Sequence, residues 1–165
     1  MKAALLTLAF ATLLAAPLSA QKTEDVCKAC HEEHVTQFQS HKHAKNNLSC
    51  DACHGESVQH REANGAVAVD KVAAPHEVPA LCGGCHTAQL KDYAGSKHGK
   101  LVMAKAEKKA ANCGICHGVH SLRTAKQTML QCNRCHATFP DAHPKFAADT
   151  LCWTCHQPHT LVVKK

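Results

Sequence analysis

The chain has 165 residues, among them 12 cysteines and 15 histidines, and a formal net charge of +6. Leucine, isoleucine, valine and phenylalanine make up about 16% of residues 21–165, below the roughly 20% at which a chain fails to build its own apolar core. An ordinary self-sufficient globular domain is therefore excluded, and without a cofactor the polypeptide is expected to be largely unfolded.

Residues 1–20 read as a secretory signal peptide. Lys2 supplies the positive start, Ala3 to Ala16 the apolar run, and Leu18-Ser19-Ala20 the small residues before Gln21. The run is shorter than the about 20 apolar residues a membrane-spanning helix needs, and no later segment is apolar enough. Residues 21–165 are thus expected as one periplasmic or secreted domain and not as an integral membrane protein.

From there the chain repeats one string six times: Cys27-Cys30-His31, Cys50-Cys53-His54, Cys82-Cys85-His86, Cys113-Cys116-His117, Cys132-Cys135-His136 and Cys152-Cys155-His156. C-x-x-C-H is the attachment motif of c-type haem. Residues three apart on a helical turn share a face, so two sulfurs can meet the two vinyl groups along one porphyrin edge. The histidine that follows then lies beneath the ring as proximal iron ligand. A disulfide framework does not require the trailing histidines, zinc sites would leave them unexplained, and iron–sulfur clusters give them no role. The cofactor expected is six haem c, with the porphyrins serving as the missing core. Their propionates would turn the positive balance of the mature chain into about −1 oxidised and about −7 reduced, which removes the case for a nucleic-acid partner.

Motif starts are 23, 32, 31, 19 and 20 residues apart, which groups them into three two-haem units at about 27–64, 80–122 and 130–160. A shift of 55 residues carries Cys27 onto Cys82, Phe38 onto Tyr93, His43 onto His98 and Lys45 onto Lys100. The second motifs of the first two units both continue as C-H-G, while the third unit is a looser copy. The fold class expected is mainly α with much coil and little or no β-sheet, each motif lying in a short helical turn. The longest helix is expected around Lys97 to Ala111, another over Thr36 to Lys45, and an extended linker from Gly65 to Pro79.

Nine histidines lie outside the motifs. His43 and His98 occupy matched repeat positions, and His143 lies between the motifs of the third unit. His60, His120 and His159 follow the second motif of each unit, the last two at the same offset. These six are the candidate distal iron ligands, one per haem, although His60 and His143 depart from the repeat and His34 rivals His60. His34, His41 and His76 are otherwise spares. Met103 and Met129 hold no repeated position and are poorer axial candidates.

In these motifs the chain resembles low-potential multihaem c-type cytochromes, particularly the periplasmic decahaem kind of outer-membrane electron conduits. The likeness lies in C-x-x-C-H followed by Ser96-Lys97-His98-Gly99, less closely by His41-Lys42-His43-Ala44, then C-H-G with a histidine soon after. It covers most of residues 27–160, with six motifs in place of ten. The resemblance implies periplasmic or extracellular electron transfer by hopping between close-packed bis-histidine haems. Partners implied are other cytochromes, a quinol dehydrogenase or an outer-membrane conduit, with no catalytic residue. Two alternatives stay open: a multihaem reductase with one open iron, and an extracellular cytochrome filament in which a spare histidine ligates iron in the next copy.

Overall fold

The computed structural model describes residues 23–104 and 110–165; the expected signal peptide lies outside them. The described residues form short helices joined by turns: α1 (Thr23–Gln39), α2 (Lys42–Lys45), α3 (Asp51–His54), α4 (Val58–Glu62), α5 (Val78–Gly83), α6 (Thr87–Gly95), α7 (Lys97–Met103), α8 (Cys113–His117) and α9 (Ala125–Asn133). A single 3₁₀ turn follows at Cys152–Thr154. Among the described residues there is no strand, and the one bridge pairs His156 with Val163. The mainly helical, sheet-free fold class read from the sequence is the one observed.

The longest described helix is α1 and not the expected segment at Lys97 to Ala111. Helix α7 closes at Met103, and the Tyr93 hydroxyl donates to the Ala111 carbonyl at 3.0 Å. Residues 105–109 of the helix expected there lie outside the described residues. The expected helix over Thr36 to Lys45 is two pieces. His41 is extended, at φ −70° and ψ 147°, and its ring nitrogen accepts the His43 N–H, so α1 ends before it and α2 begins after it.

The linker is shorter than expected and is tied down. Pro79 lies in the first turn of α5, where its missing N–H costs nothing, and is fully buried. Upstream, the Ser57 N–H donates to Asp70 while the Asp70 N–H donates to the Ser57 hydroxyl. The Asn112 amide donates to the Pro75 carbonyl, so a residue 37 positions away holds the end of the linker.

Polypeptide burial is thin. Val35, Tyr93, Val102, Ala110, Met129 and Pro79 are the apolar side chains buried among the described residues. Most lie where α6 packs on α5 and α7 and where α8 meets α5 and α9. Met129 belongs to this core, whereas Met103 is nearly half exposed. Leu130, Phe139, Phe146, Val162 and Val163 are exposed, which agrees with a chain too poor in large apolar residues to close a core alone.

Candidate haem sites

Each cysteine motif lies in a tight helical turn, as its chemistry requires. The first ends at a kink in α1, where His31 has φ −119° and ψ 42°. The second is α3 with Cys50 as its N-cap, and the fourth is α8 itself. The third and fifth run off the ends of α5 and α9, and the sixth is the 3₁₀ turn. The same bond closes four of them: the histidine N–H donates to the carbonyl of the first cysteine at 2.9 Å for His54 and His136 and 3.0 Å for His86 and His156. After the second and fourth motifs, Gly55 and Gly118 take φ of +73° and +76°, which explains the C-H-G string: a side chain there would be strained.

From the second motif to the sixth, the cysteines of successive motifs face one another in chain order. Cys53 is close enough to Cys82 and Cys85 for their charges to help raise its pKa, although burial is the larger cause. The Cys82 thiol is held down to about 7 chiefly by its hydrogen bond with Cys113, whose own thiol is raised by that bond and by burial. Cys132 is pushed up to about 11 by burial first and then by Cys152 and Cys116. Motif two thus adjoins three, three adjoins four, four adjoins five, and five adjoins six.

Every motif histidine has a different non-motif histidine facing it. The ring centroids are 6.0 Å apart for His31 and His60, 6.1 Å for His54 and His120, 5.8 Å for His86 and His43. They are 6.0 Å apart for His117 and His159, 5.9 Å for His136 and His98, and 6.3 Å for His156 and His143. A metal–imidazole nitrogen bond is about 2 Å, so two rings ligating one ion from opposite sides have centroids about 6 Å apart. The donor set therefore fits a metal held axially between two imidazoles, six times over. Each of the six distal candidates read from the sequence faces one motif histidine.

The protonation pattern suits the same task. His60 donates from Nδ1 to the Val67 carbonyl at 2.6 Å, His54 to Lys71 at 3.0 Å, His143 to Pro144 at 2.9 Å and His156 to Leu161 at 3.0 Å. A carbonyl can only accept, so in these rings Nδ1 carries the proton and Nε2 keeps the lone pair a metal needs. Burial lowers the pKa of His98, His117 and His120, and each is lowered further by facing histidines, which holds the imidazoles neutral. His159 sits at φ +67°, an uncommon conformation for a side-chain-bearing residue and one that the fold imposes on a ring facing His117.

The three spare histidines differ. His34 lies 6.4 Å from His31 and 4.9 Å from His120, but it leaves the same helix as His31 one turn on, whereas His60 comes from α4 and stacks across from His31 at 15°. His76 lies in the turn before α5. His41 is buried, stacked 5.7 Å from Phe38.

The family model for cytochrome c3 matches residues 42–137, which take in four of the six motifs. The multihaem cytochrome MtrA of Shewanella baltica is 29% identical over 163 residues, an alignment covering 84% of this chain and 46% of that protein. The chain thus spans about half the length of this curated relative. No solved structure matches it. With the family match extending over more than half of its length, the chain belongs to the cytochrome c3 family and is a multihaem c-type cytochrome, a class of electron carriers.

Proposed function

We propose that the protein moves electrons in the periplasm or outside the cell along six c-type haems, each anchored by the two cysteines of one motif and ligated by two histidines. The observation that carries this reading is the set of six separate histidine pairs at 5.8–6.3 Å. The axial pairs assigned are His31 with His60, His54 with His120, His86 with His43, His117 with His159, His136 with His98, and His156 with His143. Bound haem would supply reversible one-electron exchange.

What the polypeptide contributes is order and ligation. Contacts between cysteines support a path in order from the second motif to the sixth. His34, next to both His31 and the His120 that faces His54, brings the first motif beside the second, so that the sites at His31 and His156 would be its two ends. Carbonyls bonded to Nδ1 of His54, His60, His143 and His156 fix the tautomer and orientation of those rings and leave Nε2 free for iron. Two ligands on every iron leave no open coordination position, which a reductase site requires. They also leave no iron in need of a histidine from a neighbouring copy. Redox proteins, whether other cytochromes, a quinol dehydrogenase or an outer-membrane conduit, are the partners this arrangement suits.

Mass spectrometry of the matured protein is expected to show six tetrapyrrole increments, and its spectra only low-spin haem, with carbon monoxide entering the reduced protein no faster than a histidine leaves its iron. Replacing His98 by Ala converts one haem in six to a high-spin, CO-binding form. Fewer than six increments would sink the haem count, and one open, CO-binding haem in the unaltered protein would restore the reductase reading.

A further inference from the structure

His41 has no counterpart among the ligand pairs, yet it is less exposed than any other histidine described, at 5% of its surface. Its place in the internal repeat explains this. Ser96 stands at the matching position, and the two residues are built into the same local structure. Each is extended, at ψ 147° for His41 and 164° for Ser96. Each N–H donates back to the residue three before it, His41 to Phe38 at 2.8 Å and Ser96 to Tyr93 at 2.9 Å. Each side chain then accepts from the first turn of the helix that follows. The Ser96 hydroxyl takes the Gly99 N–H at 2.9 Å, and Nδ1 of His41 takes the His43 N–H at 3.1 Å.

Both short helices present one metal-facing imidazole: α7 carries His98 opposite His136, and α2 carries His43 opposite His86. In α2 the capped amide belongs to the imidazole-bearing residue itself. A four-residue helix has no propensity to stand alone, so its orientation depends on its cap and its contacts. The His41 ring supplies both, accepting the His43 N–H on one side and stacking on Phe38 on the other.

We infer that His41 is a positioning residue and not an iron ligand: its Nδ1 caps α2 and holds the His43 ring in register with His86. This rests on the proposed assignment of His43 as distal ligand at the Cys82–Cys85 haem. An imidazole held less firmly leaves its iron more often, and carbon monoxide captures the iron when it does. The rate of CO binding to the reduced holoprotein therefore reads the quality of the cap, independently of electron-transfer activity.

Two complementary substitutions separate the parts of the ring. His41→Phe keeps the stacking on Phe38 and removes the acceptor, whereas His41→Asn places an amide oxygen where Nδ1 was and removes the rest. His41→Phe is expected to speed CO binding at one haem about fivefold, the factor that loss of one helix cap implies, and His41→Asn to stay near the unaltered protein. His43→Ala is the reference and should give one fully open haem. An unchanged rate in His41→Phe, or equal acceleration in both variants, overturns the positioning role. A fully open haem in either His41 variant would make His41 the ligand and overturn it too. If His43→Ala opens no haem, the ligand assignment itself fails, a result distinct from the others.

Discussion

The histidine pairs at the two ends of the molecule are built differently from the four between them. At the ends, His31 meets His60 and His156 meets His143, so each pair is drawn from a single unit of the repeat. In the middle, every pair crosses units. The first unit lends His43 to His86 of the second and takes His120 for its own His54, and the second and third units exchange His98 and His159 in the same way. The ring pairs thus cross reciprocally between neighbouring segments in the middle, whereas those at His31 and His156 join rings within one segment. On the proposed ligation, the inner sites would tie distant segments together and the outer two would tie only their own.

Removing one haem from each class breaks this contrast most strongly. Replacing Cys113 and Cys116 by Ser deletes the site whose imidazoles are His117 and His159, and with it a cross-link between α8 and the chain end. The expected cost resembles that of a lost disulfide, about 2–5 kcal/mol. Hydrogen exchange followed by mass spectrometry should show residues 150–165 losing protection along with α8. The same change at Cys27 and Cys30 should confine the loss to α1 and the segment around His60. If both double variants lose protection in the same local fashion, the inner pairs do not join the units.

Much of this was legible in the sequence because haem attachment is a local code. C-x-x-C-H fixes the helical turns, and C-H-G fixes the left-handed glycines at 55 and 118. The internal shift of 55 residues brings His43 and His98 forward as candidates. What it could not give was the partner of each ring, since His54 and His120 are 66 residues apart and meet only through the fold. The irregular offsets of His60 and His143 looked like weakness in the repeat. Those two rings face motif histidines of their own segment, His31 and His156, where the other four face a motif of a neighbouring segment. Of the helix expected from Lys97 through Ala111, α7 covers Lys97–Met103, and residues 105–109 lie outside the described ones.

The first two units can be compared more finely through the residue after the distal histidine, Gly99 in one and Ala44 in the other. A Cβ on Gly99 would overlap the Tyr93 carbonyl and the start of the next residue, so α6 and α7 cross here at the closest approach a backbone permits. Gly99→Ala is expected to cost about 1–3 kcal/mol in denaturant titration, the usual range for overpacking. Gly95→Ala, whose Cβ would meet nothing within 4 Å, should be neutral or slightly stabilising. Equal effects at the two glycines would remove the tight crossing as the reason for glycine at 99.

The smallest difference between the two units is the hydroxyl that distinguishes Tyr93 from Phe38. It donates to Ala111, so Tyr93→Phe should lower stability by about 1 kcal/mol at neutral pH, the usual net value of such a bond. The pH dependence sharpens the test. Burial, and then the charges of Cys113 and Cys116, push the Tyr93 pKa from its ordinary 10 up to about 12. The folded state therefore favours the neutral phenol. Its contribution is complete below pH 10 and is lost as the unfolded chain ionises and pH rises towards 12. With the cysteines in thioether linkage burial remains as the cause, so the direction holds in the holoprotein. The stability gap between the unaltered protein and Tyr93→Phe should accordingly narrow over that alkaline range, and a gap independent of pH would mean that the phenol is not protected by the fold.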